Sequence, residues 1–171
     1  MATAELLACR VEVFIGGGSN LEQPEQQLRS AFRALQALPE SGELRCSSLY
    51  RTPPMGPPAQ PDFLNVVFRM VTRLAPQRLL QALQAIEHAQ GRVRGERWGA
   101  RTLDLDLLLF GDLVLQTPDL QIPHPGIAHR AFVLYPLLDI APDLSVPGLG
   151  KVAALIADIS TEGLVKVGNF C

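Results

Sequence analysis

Asp104 and Asp106 stand two residues apart in the run Arg97-Trp98-Gly99-Ala100-Arg101-Thr102-Leu103-Asp104-Leu105-Asp106-Leu107-Leu108. In a β-strand that spacing sends both carboxylates to one face, about 6–7 Å apart, and sends Leu103, Leu105, Leu107 and Leu109 to the other as a core face. Two like charges side by side repel, and a hard cation such as Mg²⁺ relieves the repulsion through carboxylate oxygens. Upstream, Arg92, Arg94, Arg97 and Arg101 fall within residues 91–101, against a single Glu96. Planar guanidinium groups match the phosphates that such metals accompany. The segment therefore reads as a metal–polyphosphate site. The plainer alternative is a solvated strand face beside a basic loop, since a bare D-x-D is a common pattern.

The elements that must hold these residues follow from periodicity. Val11, Val13 and Ile15 alternate as a first strand ending at Gly16-Gly17-Gly18. Ser19-Asn20 and Pro24 signal a helix start, and Leu28, Phe32, Leu35 and Leu38 follow at helical spacing. Residues 44–51 read as a second strand and residues 63–73 as a third. Between them the proline-rich stretch 52–61 can only be a stiff loop. Pro76 opens a helix with the stripe Leu79, Leu80, Leu83 and Ile86, and the aspartate strand covers 102–110. The order β-α-β-β-α-β predicts an α+β, ferredoxin-like fold: one antiparallel sheet, helices on one face, the other face free for a site, and C-terminal additions. Residues 128–138 and 151–159 are expected helical, and the tail after about 160 has no clear pattern. The whole chain, 1–171, is expected to form a single catalytic domain.

Composition narrows the function. The chain has 171 residues, 47% hydrophobic, and a net charge of −2, which implies no general attraction to nucleic acid or anionic membrane. Thirteen of its fifteen basic residues are arginine, and the local cluster suits one anionic ligand rather than a long polyanion. No segment reaches the length of a membrane span. Cys9, Cys46 and Cys171 show no metal-ligand spacing and are expected to be reduced thiols in a cytoplasmic protein. A monomer is expected. A ferredoxin-like nucleic-acid or nucleotide binding module without catalysis is the competing class. Such modules stack bases on paired sheet aromatics, but aromatics make up only 6% of this chain.

Other motifs are ambiguous alone. Gly16-Gly17-Gly18-Ser19-Asn20 lacks the Walker pattern and reads better as a tight strand-to-helix turn. Phe63 and Asn65 share a strand face after the proline loop, where a ring and an amide could recognise a flat heterocycle; a core ring and a satisfied amide are the alternative. His124 and the pair His129-Arg130 lie outside the periodic segments.

Taken in order, Gly18-Ser19-Asn20-Leu21, Ser48-Leu49-Tyr50-Arg51-Thr52-Pro53-Pro54, Asp62-Phe63-Leu64-Asn65, Gly91-Arg92-Val93-Arg94, the Arg97–Leu108 run and Ile122-Pro123-His124 closely resemble the bacterial 6-hydroxymethyl-7,8-dihydropterin pyrophosphokinase family over roughly residues 11–150. That resemblance implies transfer of diphosphate from ATP to the pterin hydroxymethyl group, with release of AMP, in folate biosynthesis. It implies that Asp104 and Asp106 bind two Mg²⁺ ions and act in catalysis with Arg92 and Arg101. The nucleotide would be held by Gln84, Glu87, Arg94, Arg97, Trp98, Leu107, Ile122, His124 and Arg130. The pterin would meet Thr52, Pro53, Met55, Phe63, Asn65, Trp98 and Phe132. The chain departs from the family's pattern at Gly17, where an aliphatic residue is usual, at Asp119 and Pro125, and by one residue missing near Gly95-Glu96.

Overall fold

The computed structural model describes residues 9–54, 59–91 and 102–171. Its central sheet is built from β1 (Val11–Ser19), β2 (Ser41–Cys46), β3 (Ser48–Thr52), β4 (Phe63–Thr72), β5 (Asp104–Phe110) and a C-terminal β10 (Val165–Asn169). The strand order is β10-β3-β4-β1-β5, with β2 also paired to β4; β6 (Leu115–Gln116) with β7 (Gln121–Ile122) and β8 (Ser145–Val146) with β9 (Gly150–Lys151) form two separate short pairs, and every pairing is antiparallel. Helices α1 (Pro24–Gln36) and α2 (Pro76–Ala89) follow β1 and β4. This is the expected ferredoxin-like order. Both helices start at a proline, whose fixed φ suits the first helical position and whose missing N–H costs nothing there.

One face of the sheet is closed by the apolar stripes of α1 (Leu28, Ala31, Leu35) and α2 (Leu79, Leu83, Ile86), packed on Val13, Ile15, Phe68, Leu103, Leu105 and Leu107. The opposite face is not wholly free, as the six-element pattern would have it. Helix α3 (Ala131–Ile140) packs over β3 and β4, burying Val133, Leu134 and Leu137 against Phe14, Val67, Leu108 and Leu109. Its sequence has no charged residue before Asp139, so it must be buried, and the sheet's second face takes it. The end of that face where β1 finishes and β5 begins carries Asp104 and Asp106, both partly exposed.

Three local readings change. The expected strand over 44–51 is interrupted at Ser47, whose N–H donates to Val67 O and whose Oγ accepts from Val67 N, both at 2.9 Å. Strand β5 carries a bulge: Ile15 pairs with Leu107 and Phe14 with Leu109. The extra residue sends Leu108 and Leu109 together into the α3-side core, so Leu109 does not share a face with Leu103, Leu105 and Leu107. Strict alternation cannot show an inserted residue. The helices expected over 128–138 and 151–159 are shorter: a 3₁₀ turn Ile127–His129 precedes α3, and α4 (Val152–Leu155) passes into a 3₁₀ turn.

The tail is ordered by a strand and an anchor. Strand β10 extends the sheet beside β3, and Phe170, 4% exposed, enters the first core. Arg29 donates to Phe170 O at 3.1 Å and lies 4.9 Å over its ring. Next to it Cys46 and Cys171 are joined in a disulfide, so only Cys9 fits the expected free thiol. A pairing across 125 residues leaves no spacing signal in the sequence. Among the described residues no helix is long and apolar enough to cross a membrane.

Candidate active site

The open end of the second face is laid out by register. Tyr50, Asn65, Gly18 and Asp104 form one row across β3, β4, β1 and β5; Val67, Gly16 and Asp106 form the next. Asp104 and Asp106 share the face opposite Leu103, Leu105 and Leu107, as their spacing predicts. Gly18 keeps the floor clear: a Cβ there would sit 3.3 Å from Asn65 Oδ1 and 3.9 Å from the Phe63 ring. Asn65 is 6% exposed, and its Nδ2 donates to Thr52 Oγ1 at 2.9 Å, which fixes the carboxamide. Phe63 pairs with Thr52 and is half-buried. The first core is filled by Phe68, so a stacking role for Phe63 stays compatible with its position at the sheet's end.

Two basic groups face Asp106. The chain returns through β7 (Gln121–Ile122) and the cis peptide Ile122–Pro123, and His124 N–H donates to Leu108 O at 2.9 Å. His124 Nε2 and Arg130 Nη1 lie 3.9 Å and 4.0 Å from Asp106 Oδ2. Gly126 N–H donates to His124 Nδ1 at 3.0 Å, which places the ring proton on Nε2, towards Asp106. Burial, reinforced by the Arg130 charge and opposed by Asp104, pushes the His124 pKa down to about 4. The nearby carboxylates would favour the cation, but at 3.9 Å no hydrogen bond forms, and desolvation wins. His124 is therefore a neutral N–H donor here. A Cβ at Gly126 would lie 2.7 Å from Arg130 Nε, so any side chain there would displace the arginine from this position. Arg130 also lies 5.8 Å over the Phe132 ring, at the start of α3.

Gly16 to Ser19 lie inside β1 rather than in the strand-to-helix turn expected from the sequence, because β4 and β5 pair with the glycines from both sides, and Ser19 and Asn20 anchor the strand's end. Ser19 Oγ donates to Thr102 O, ahead of β5, and Asn20 Nδ2 donates to Pro61 O at 3.0 Å, ahead of β4. Gln23 occupies the N-cap position of α1 without a side-chain cap. On the other side Gln84 is exposed on α2, while Glu87 is buried with Oε2 accepting from Leu105 N at 2.9 Å. Leu107 and Ile122 are core residues, 3% and 1% exposed. Pro53 is exposed, with the tail turn at Gly163 packed against its ring. Met55, Arg92, Arg94, Arg97, Trp98 and Arg101 lie outside the described residues.

Sequence reasoning missed the bonds of Ser19, the Thr52 hydroxyl and the true setting of Glu87. Glu87 had a usable signal: it falls four residues after Leu83 and eight after Leu79, on the apolar stripe, where a carboxylate needs a partner.

Among the described residues no group of three or more His, Cys, Asp or Glu could enclose a metal. Two carboxylates suit Mg²⁺, which keeps waters and takes phosphate oxygens for its remaining positions. A cavity of about 610 Å³ at the far end of β4, lined by Glu12, Arg45, Arg69, Asp139 and the Cys46–Cys171 pair, contains none of the candidate ligand-binding or catalytic residues.

Comparison with known proteins gives one consistent match. The model of the family described as 7,8-dihydro-6-hydroxymethylpterin-pyrophosphokinase (HPPK) matches residues 14–142. The chain is 49% identical over 155 residues to the 2-amino-4-hydroxy-6-hydroxymethyldihydropteridine pyrophosphokinase of Pseudomonas aeruginosa, covering 91% of this chain and 96% of that one. It is 41% identical over 157 residues to the protein of the same name from Haemophilus influenzae, covering 92% and 98%. In structure it resembles wild-type Plasmodium falciparum HPPK-DHPS, with a TM-score of 0.69 at 14% identity, over 88% of this chain and 45% of that longer one. That likeness concerns the fold.

Proposed function

Because the chain belongs to the 7,8-dihydro-6-hydroxymethylpterin-pyrophosphokinase family, we infer that it transfers diphosphate from ATP to 6-hydroxymethyl-7,8-dihydropterin, giving the pterin diphosphate and AMP in folate biosynthesis. The observation that carries this reading on the chain itself is the row Asn65–Gly18–Asp104, with Asp106 beside it. It sets a fixed amide and a pair of carboxylates on either side of a floor without side chains.

Each residue then has a physical task. Asp104 and Asp106 would hold Mg²⁺, two ions in the full site, and the metal would supply charge stabilisation on the transferring phosphates and acidify the attacking hydroxyl. Asn65, locked by Thr52, presents Oδ1 to the N–H edge of the pterin, and Phe63 and Phe132 offer ring faces to its plane. The Thr52, Pro53 and Met55 backbone reads the same edge, and Trp98 covers it. His124 contributes a directed neutral N–H, and Arg130 a charge, to the triphosphate. Arg92, Arg94, Arg97 and Arg101 add charge from their loop, and Gln84, Leu107 and Ile122 border the nucleotide. No strong side-chain base is needed, since this chemistry is mostly positioning and electrostatics.

The reading includes a monomer acting in the cytoplasm on two small molecules. There the Cys46–Cys171 bond would face a reducing thiol pool. A nucleic-acid module is disfavoured because the open face carries carboxylates that repel a phosphate backbone.

Asp104→Asn and Asp106→Asn should each lower pterin-dependent AMP release by about a thousandfold, the scale of several kcal/mol of lost charge stabilisation. The circular dichroism spectrum should not change. Near-normal AMP production with Mg²⁺ in both variants would overturn the assignment.

A further inference from the structure

We propose that Glu87 is a positioning residue for the two aspartates, acting through the backbone of β5 rather than by touching a ligand. Among the described residues strand β5 is the outermost strand on its side of the sheet, and it pairs with β1. An outer strand presents every second backbone N–H away from its neighbour, where no strand can accept it. Leu105 N–H is such a donor, and Glu87 Oε2 takes it at 2.9 Å. Glu87 is only 7% exposed, in the last turn of α2, and the helix stripe that delivers it is fully buried at Leu79 and Leu83. A carboxylate is costly in that setting unless it is hydrogen-bonded, and a charge-assisted bond to an N–H is stronger than a neutral one.

The location of that N–H gives the bond its consequence. It belongs to the peptide joining Asp104 to Leu105, so its plane sets the direction of the Asp104 side chain relative to Asp106. On the inner side Leu105 pairs with Gly17, which has no side chain to help. Glu87 therefore fixes, from behind, the first of the two peptides that lie between the carboxylates. The inference rests on the reading of Asp104 and Asp106 as the metal–phosphate pair. It differs from the role implied by resemblance, in which Glu87 lines the nucleotide side.

Glu87→Gln and Glu87→Leu separate the two, with Asp106→Asn as control. Three quantities are read: exchange of the Leu105 amide by NMR, Mn²⁺ affinity with a non-hydrolysable ATP analogue by electron paramagnetic resonance, and kcat with the KM for each substrate. Glutamine keeps an acceptor oxygen, so Glu87→Gln should stay within about threefold of wild type throughout. In Glu87→Leu the Leu105 amide should exchange about tenfold faster or more. Mn²⁺ affinity and kcat should drop by about tenfold, with the KM for pterin unchanged. If the leucine variant does not fold, Glu87→Asp, one methylene short of the amide, carries the same expectations. Unchanged exchange in Glu87→Leu, or fast exchange with normal Mn²⁺ affinity and kcat, overturns the proposal. So does equal damage in both variants confined to the KM for ATP, which would mark a nucleotide contact. If Asp106→Asn keeps Mn²⁺ affinity and turnover, the metal reading itself fails. If it loses both while Glu87→Leu is normal, only the positioning role fails.

Discussion

Acidifying the ligand-free protein from pH 7 towards pH 4 should leave His124 uncharged over nearly the whole range, where a solvated histidine turns positive around pH 6.5. Its pKa is pushed down to about 4 by burial and by the Arg130 charge, with Asp104 only partly offsetting them. The Gly126 N–H on Nδ1 acts in the same direction, because protonating Nδ1 breaks that bond. The gap between 6.5 and about 4 amounts to roughly 3 kcal/mol against the imidazolium, so on the order of 0.1% of molecules carry the charge at pH 7. For stability the sign is fixed. Above pH 6.5 neither the folded nor the unfolded chain binds the proton, and the residue has no effect. Between 6.5 and 4 the unfolded chain takes a proton that the folded protein refuses, so stability falls with falling pH, by up to about 3 kcal/mol from this group. Heteronuclear NMR of the imidazole against pH measures the midpoint directly. Arg130→Met should raise it, and an ATP analogue with Mg²⁺ should raise it further, giving proton uptake on binding that calorimetry detects as a dependence on buffer ionisation enthalpy. A midpoint at or above 6.5 in the free protein would refute the reasoning.

Two other substitutions test the sheet that carries the site. Phe63→Ala should weaken pterin binding by about tenfold or more, the scale of one lost stacking contact, and leave nucleotide affinity unchanged in calorimetry; equal affinity for pterin would return the ring to a packing role. Gly17→Ala should destabilise by ~1–3 kcal/mol, since its Cβ would lie 2.9 Å from Phe68 Cε2 and 3.3 Å from Leu28 Cδ2. Thermal denaturation should show a lower Tm, and Phe68→Leu in the same chain should recover part of it. A Tm unchanged by Gly17→Ala alone would mean that the Phe68 ring does not fill that space.

That Phe68 occupies the room above Gly17 explains why this chain carries glycine where an aliphatic residue is usual, and it shows what the sequence could reveal. The order β-α-β-β-α-β, the two apolar helix stripes and the shared face of Asp104 and Asp106 were legible because period 2 and period 3.6 are written in residue types. The bulge at Leu108 was not, because an inserted leucine among leucines leaves no mark. Two-residue strands such as β7, which delivers His124, are too short to show a period. The third helix was visible, but its place on the second face was not. Its uniformly apolar sequence gives no direction to a stripe. The Arg130, His124 and Asp106 grouping depends on that docking and on Gly126. The motif suggested the members of the site, whereas packing supplies the orientations.

The central position of β1 has a consequence for how the chain is made. Its two neighbours are β4, residues 63–72, and β5, residues 104–110, so one edge waits for the middle of the chain and the other for its later part. At synthesis rates of about 5–20 residues per second, the strand stands without β5 for roughly 4–20 s. Val13, Phe14 and Ile15 are apolar on both faces during that interval, the kind of segment on which nascent chains associate or chaperones dock. Its second half, Gly16-Gly17-Gly18, is a poor strand former by itself. The glycines that clear the floor of the site also deny a stray strand a long template, leaving the first half of β1 as the stretch that must be guarded until its partners emerge.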